Sequence, residues 1–435
     1  MQARTSRILC SCRSLSLTEL GFLWSVFFAP WGPVLRYLGW ALALAGLVGE
    51  RRRGVSFRGA LVPWAGRVLW AVLLWGGFWT VVFQRDPYLV AKGWSLPVEF
   101  AFSVWLAAHV ARTSDSGAKE RFFSVLMASA AVAVVETTYR FTAFASLSGS
   151  FTNIVNLGLF GVVLLPLALA RTAAFPVPFM WCLSLGVLFM IVLSGSSGAW
   201  LTAIVVLLLL LVLEDRAGRR RLVLFLLLFT LLLGGAGAAL SAGPKALRDA
   251  LLVRVRAEIV QLTSPRDARM FTSYRSFIWK GAAQAAAKRP VTGWGWGGFE
   301  RAFPETVRPW WDVKETKMPA ERVSDAHNMY LNLAVDGGIP SALAVTGLFL
   351  AAAWLALRFA RHSPDERYFW VGVAVSALSL LFFGLAGDIF MVRYKFACVP
   401  WYLLGFALDR RAGEERAPTR ETTDGPVSSF AEDES

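Results

Sequence analysis

The chain has 435 residues, of which 56% are hydrophobic and only 17% are charged, well under the roughly 25% charged fraction of soluble domains. A water-soluble fold has no place for that much apolar surface, so lipid is read as the solvent. The net charge of +14 does not indicate nucleic acid, because Lys and Arg sit as short clusters between apolar runs rather than in one basic domain with stacking aromatics.

The first apolar run, Leu17 to Val48, is broken by Pro30, Gly32 and Pro33. A turn there makes it a hairpin of two short tilted spans. Later spans are read at Ala60 to Phe83, Leu96 to Val110, Phe122 to Phe144, Phe151 to Ala170, Phe175 to Leu193, Gly198 to Leu213, Leu222 to Leu240, Ile339 to Leu357, Phe369 to Ala386 and Phe396 to Leu408. With the hairpin the count is about twelve, and several of the runs approach or exceed the ~20 apolar residues that cross a bilayer. The fold class is therefore an all-α polytopic membrane protein, with one large helical periplasmic loop between spans nine and ten.

Arg and Lys concentrate in the loops Arg51 to Arg58, Arg112 to Arg121, Arg171 to Ala174, Glu214 to Arg221 and Arg358 to Arg367, and in the tail from Asp409. By the positive-inside rule these loops and both termini are cytoplasmic. The N-terminus carries Arg4, Arg7 and Arg13 without a compact apolar core and a small-residue cleavage site, so no cleaved signal peptide is expected and the first span is the targeting signal. The expected organisation is an N-terminal bundle over 1–241, a periplasmic loop domain over 242–337, three further spans over 338–409, and a polar, disordered tail over 410–435. Within the loop, Lys245 to Gln261 and Arg275 to Lys288 have helical periodicity, and Pro290 ends the second.

Cys10, Cys12, Cys182 and Cys398 have neither metal-binding nor redox spacing. Of three histidines, His109 lies near the cytoplasmic end of a span and His362 in a cytoplasmic loop, and both read as structural. His327 lies where the long loop re-enters the bilayer, in Ser-Asp-Ala-His-Asn-Met-Tyr. A neutral imidazole there suits removal of a proton from a sugar hydroxyl, with Asp325 and Asn328 close enough in sequence to orient it. The alternative is that His327 only caps or hydrogen-bonds the helix entering the membrane.

Stabilising a diphosphate needs fixed positive charge, and Arg offers a fork that matches phosphate oxygens. Arg275, at the start of an amphipathic helix, is the first candidate, followed by Arg289, Arg301 and Arg322; each could equally be a solvated surface charge. In Gly293-Trp294-Gly295-Trp296-Gly297-Gly298-Phe299, the Trp faces of Trp294 and Trp296 could stack on sugars or lie at the lipid interface. Within a span, Glu136 and Arg140 stand four apart on one helix face, either a functional pair or one that neutralises itself.

These residues resemble the O-antigen ligase and polymerase superfamily of bacterial envelope enzymes. The likeness rests on Phe151-Thr-Asn153-Ile-Val-Asn156, on Arg275 with Trp279, on Arg289-Pro290 with the Gly-Trp-Gly-Trp-Gly-Gly-Phe run, and on His327-Asn328 followed after nine residues by Gly338. One departure is Ser197, where the ligases commonly have a second Arg; a milder one is Ser341 at the signature's last position.

The resemblance implies a multi-pass protein of the bacterial inner membrane that transfers a glycan from an undecaprenyl-diphosphate carrier to an acceptor hydroxyl, on lipid A core or on a growing polysaccharide, without metal or other cofactor. His327 would act as base or acceptor orienter and Arg275 would hold the diphosphate, with Asn328, Arg289, Arg322, Trp294, Trp296, Asn153, Asn156, Glu136 and Arg140 contributing to substrate binding. A lipid-linked glycan carrier or flippase and a non-catalytic envelope scaffold remain as alternatives from other classes.

Overall fold

The computed structural model describes residues 15–57, 59–115, 117–144, 154–242, 275–316, 318–389 and 398–409, with a few isolated positions between 245 and 263. Asn153, the tail after 409 and nearly all of the helix expected over Lys245 to Gln261 lie outside the described residues. Among the described residues the chain is helical, with one isolated bridge between Leu61 and Asp409.

The predicted hairpin is present. Helix α1 (Leu17–Phe27) and helix α2 (Pro33–Arg52) are joined by a 3-10 turn over Ala29–Trp31 and by Gly32 at φ +142°. The two helices run almost backbone to backbone: a Cβ on Gly21 would lie 2.3 Å from Ala43 N, and one on Gly46 would lie 2.3 Å from Thr18 N. Small residues at such a seam let helices in lipid gain van der Waals contact.

There follow α3 (Pro63–Phe83), α4 (Pro87–Thr113), α5 (Ala118–Phe144), α6 (Ile154–Ala174), α7 (Pro178–Ser194), α8 (Ser197–Leu213) and α9 (Arg216–Ala242). After them come α10 (Arg275–Lys288), α11 (Phe299–Val307), α12 (Met329–His362), α13 (Arg367–Phe383) and α14 (Cys398–Ala407). Among the described residues, five helices are long and apolar enough to cross a membrane: α3, α5, the Asn156–Ala174 part of α6, α12, and Pro364–Phe383, which contains α13. Helices α1, α7, α8 and α14 are shorter but apolar. The centre of the bundle is α6, whose residues from Asn156 to Ala170 are all buried.

Contacts sort the connections onto two ends. At one end Arg121 pairs with Glu19 at 2.7 Å and with Asp115 at 2.8 Å, Lys119 pairs with Glu366 at 2.6 Å, and Arg171 pairs with Glu120 at 3.1 Å. Arg221 donates to the carbonyls of Ala173 and Ala174, Arg367 donates to that of Leu213, and Val62 N donates to Leu408 O at 2.9 Å. The basic connections expected in the cytoplasm thus share one end with Ser16 and Asp409. The segment 275–328 lies at the other.

Helix α12 is broken near that second end. Gly338 sits at φ +79°, and the two backbone groups freed by the break are taken up by the preceding loop: Trp294 N donates to Val335 O at 2.8 Å, and Ile339 N donates to Pro290 O at 2.8 Å. Loose backbone inside an apolar bundle is tolerated only where other protein groups satisfy it. The break therefore fixes where the Pro290–Trp294 segment docks.

Candidate functional site

The site is built around Ser324-Asp325-Ala326-His327-Asn328, the segment leading into α12. Asn328 caps the helix, its Oδ1 accepting from Leu331 N at 3.0 Å. Capping is thus done by the neighbour of His327 and not by His327. His327 itself is at φ +47°, the one non-glycine residue with positive φ among the described residues, and its side chain is 46% exposed. A bulky residue held in the left-handed region is strained, and such strain gathers at functional sites. Asp325 holds it there: one oxygen, Oδ1, accepts from His327 N at 2.8 Å and faces His327 Nδ1 at 3.0 Å.

Burial alone would raise the Asp325 carboxyl, but the His327 ring, the His327 N–H and the Ser324 hydroxyl outweigh it and hold its pKa below the usual carboxylate value. Asp325 is therefore a fixed acceptor for an Nδ1 proton. With an Nδ1 proton held there, Nε2 would be the ring nitrogen left to accept a hydrogen bond.

Arg275 reaches the same place from α10. Its Nη1 donates to Ala386 O at 2.5 Å. One residue earlier, Leu385 O accepts from Asn328 Nδ2 at 3.0 Å, and Met329 N donates to Gly384 O at 2.8 Å and to Gly387 O at 3.1 Å. The short turn Gly384–Gly387 after α13 thus grips Arg275 and the residues following His327 together. The N-terminus of α8 meets this turn as well, since a Cβ on Gly198 would lie 3.8 Å from Ala386 Cβ. Ser197, the first residue of α8, is next to it.

Behind His327 runs a buried polar relay. Asn332 Oδ1 accepts from Ala326 N at 3.0 Å, and Asn332 Nδ2 donates to Asp336 Oδ2 at 3.3 Å. Asp336, 1% exposed, accepts from Phe299 N at 2.8 Å through its other oxygen. These two residues join the Gly-Trp loop to the histidine loop. Sequence reasoning passed over both, although an acid within an apolar helix was a signal for Asp336.

The Gly-Trp run corrects an expectation. Trp296 is fully buried and Trp294 is 9% exposed, so neither ring presents an open face for sugar stacking or for lipid. Trp296 Nε1 donates to Leu73 O at 3.2 Å and its N donates to Thr80 Oγ1 at 2.6 Å, while Trp294 Nε1 donates to Ala285 O at 3.0 Å. The reason is steric: the ring of Trp296 occupies the notch left by Gly76 on α3, where a Cβ would lie 2.2 Å from Trp296 Cε2. The run is a wedge between the loop and the bundle.

The remaining candidates are dispersed. Arg289 lies 3.9 Å over Phe83 and 4.1 Å over Trp294; burial, then the charge of Arg301, lowers its pKa. Its Nη1 is shielded and has no hydrogen-bond partner among the described residues. Arg301 donates to Phe83 O at 2.7 Å, and Arg322 is exposed in a 3-10 turn. Asn156 is buried near the start of α6. Glu136 and Arg140 pair with each other at 2.9 Å, and Glu136 also accepts from Trp31 Nε1 at 3.2 Å at the hairpin turn. The self-neutralising pair is what the structure contains. His109, read as structural, is buried against Glu50 at 2.8 Å.

Residues 179–346 match the family model described as O-antigen ligase. This segment is similar to the O-antigen ligase family. The matched segment begins in α7 and ends midway along α12, so it contains Arg275, the Gly-Trp wedge, His327, Asp336 and Gly338. With the apolar helices, the match supports a membrane-embedded glycan transferase of the O-antigen ligase and polymerase type. No curated protein matches the chain.

Proposed function

We propose that the protein moves an oligo- or polysaccharide from an undecaprenyl-diphosphate carrier to an acceptor hydroxyl at the periplasmic face of the bacterial inner membrane, as a ligase onto lipid A core or as a polymerase of repeat units. In this reading about twelve helices cross the membrane with both termini cytoplasmic. Collection of the basic loops at one end supports that orientation. The observation that carries the reading is the Gly384–Gly387 turn, which holds Arg275 and the segment that carries His327 at the opposite end.

In the transfer step, His327 Nε2 accepts the proton of the acceptor hydroxyl as its oxygen bonds to the anomeric carbon. The bond between that carbon and the diphosphate oxygen breaks, and the electron pair leaves with undecaprenyl diphosphate. Asp325 stabilises the imidazolium that forms, and Arg275 meets the negative charge growing on the leaving group. The chemistry uses side chains alone.

The test is transfer by the purified chain in lipid vesicles, with an undecaprenyl-diphosphate oligosaccharide and a panel of glycan acceptors. Arg275→Ala is expected to raise the donor KM and lower kcat together. Absence of product with every acceptor would contradict the proposal, and transfer unchanged in both Arg275→Ala and His327→Ala would contradict the residue roles.

A further inference from the structure

A cavity of about 230 Å³ opens beside the histidine loop, where α4, the start of α11 and the Asp325 segment converge. It is smaller than the ~300–1,000 Å³ of pockets for drug-sized ligands, which suits one sugar ring rather than an oligosaccharide. Its lining is acidic: Asp325, Asp336 and Glu300 against Lys92 alone. Lys92 and Glu300 neutralise each other, at 2.7 Å, which leaves Asp325 as the charge that faces a ligand. Leu96 supplies an apolar wall.

The charge decides which substrate this cavity takes. A diphosphate would meet the carboxylate of Asp325, held below the usual carboxylate pKa, and its cationic partner Arg275 is held by a different segment, at Ala386. A neutral sugar presents hydroxyl donors, which carboxylates accept, and an apolar ring face, which Leu96 can cover. Asp325 receives three hydrogen bonds from His327 N, His327 Nδ1 and Ser324 Oγ, and an ionised carboxylate has about four acceptor sites. A ring in the cavity would therefore share Asp325 with the imidazole and sit one side chain from it.

We infer that this cavity binds the terminal, uncharged sugar of the acceptor glycan, so that the His327 loop divides an acid-lined acceptor side from a cationic donor side. The inference rests on the glycan-transfer reading and adds to it the place and charge class of the acceptor.

It is tested without turnover. Saturation-transfer NMR on the full chain in lipid nanodiscs would use methyl glycosides of glucose, galactose, mannose and rhamnose, with methyl glucuronide as the acidic probe. At least one neutral glycoside is expected to bind wild type, and to bind Leu96→Trp and Leu96→Phe at least fivefold more weakly. Methyl glucuronide is expected to bind more weakly than methyl glucoside, and the surface variant Glu300→Lys, which tests the same charge logic if both Leu96 variants misfold, should reverse that order. Failure of every neutral glycoside to bind, binding indifferent to Leu96, or no change of preference in Glu300→Lys would overturn the inference. In the transfer assay an unchanged acceptor KM in the Leu96 variants would remove the pocket and leave transfer standing. Binding blocked by those variants in a protein that transfers nothing would leave the pocket and remove the transferase.

Discussion

His109 and His327 are each paired with a carboxylate, at 2.8 Å and 3.0 Å, and the chemistry of the two pairs is otherwise opposed. His109 is 1% exposed, stacked on Trp105 at 5.2 Å, and closed in by Phe57 at 5.4 Å. His327 is 46% exposed, on strained backbone, with a flanking residue gripped by the turn that also holds Arg275. A carboxylate–imidazole pair is therefore uninformative by itself. Exposure and backbone strain distinguish the pair enclosed between helices from the one left open to solvent.

Substitution should separate the two cleanly. His327→Ala is expected to lower the transfer rate by about 10²- to 10⁴-fold, the contribution of a general base, while the thermal midpoint stays near that of wild type. His327→Gly should be as inactive yet more stable by about 1 kcal/mol, because the positive φ no longer costs anything. His109→Ala should do the reverse: leaving Glu50 buried and unpaired costs about 3–5 kcal/mol, with transfer per folded molecule unchanged. Equal losses of activity in His109→Ala and His327→Ala would end the comparison.

The next effects are smaller. Gly338→Ala places a Cβ 2.1 Å from Val291 O at φ +79°, so a loss of about 3 kcal/mol or more is expected by thermal unfolding. Asp325→Asn should slow transfer roughly 10- to 100-fold, as loss of an orienting partner does. Because the Asp325 pKa is lowered on folding, the stability it contributes is present above the unfolded value and fades as pH falls through the folded one. Urea midpoints of Asp325→Asn should accordingly depend less on acidity below the usual carboxylate range. Glu136→Gln, which removes the charge of a half-exposed pair and keeps an acceptor for Trp31 Nε1, should change stability by less than about 1 kcal/mol.

Much of the bundle was legible because its signals are local. Pro30, Gly32 and Pro33 mark the hairpin turn, and Arg51–Arg53, Arg121 and Arg219–Arg221 mark the connections that gather at one end. His327 and Arg275 stood out as one imidazole and one guanidinium at defined positions of the long loop.

What was not legible depends on partners far along the chain. The Gly384–Gly387 turn has no motif, yet it holds Arg275 from 111 residues away. Trp296 looked exposed because its notch, Gly76, and its hydrogen-bond partner, Thr80, lie on α3, the latter 216 residues distant. The Asn332–Asp336 relay was hidden for a different reason: four-residue spacing on a helix is common, and only the docking of Phe299 and Ala326 gives it a purpose.

The most direct measurement of the central claim is sidedness. In a cysteine-free background, Ser324→Cys beside the histidine and Arg53→Cys at the basic end, both exposed positions, would be treated in spheroplasts with a membrane-impermeant maleimide. The account predicts labelling of position 324 in intact spheroplasts and of position 53 only after permeabilisation. The opposite pattern, or labelling of both positions from outside, would contradict it.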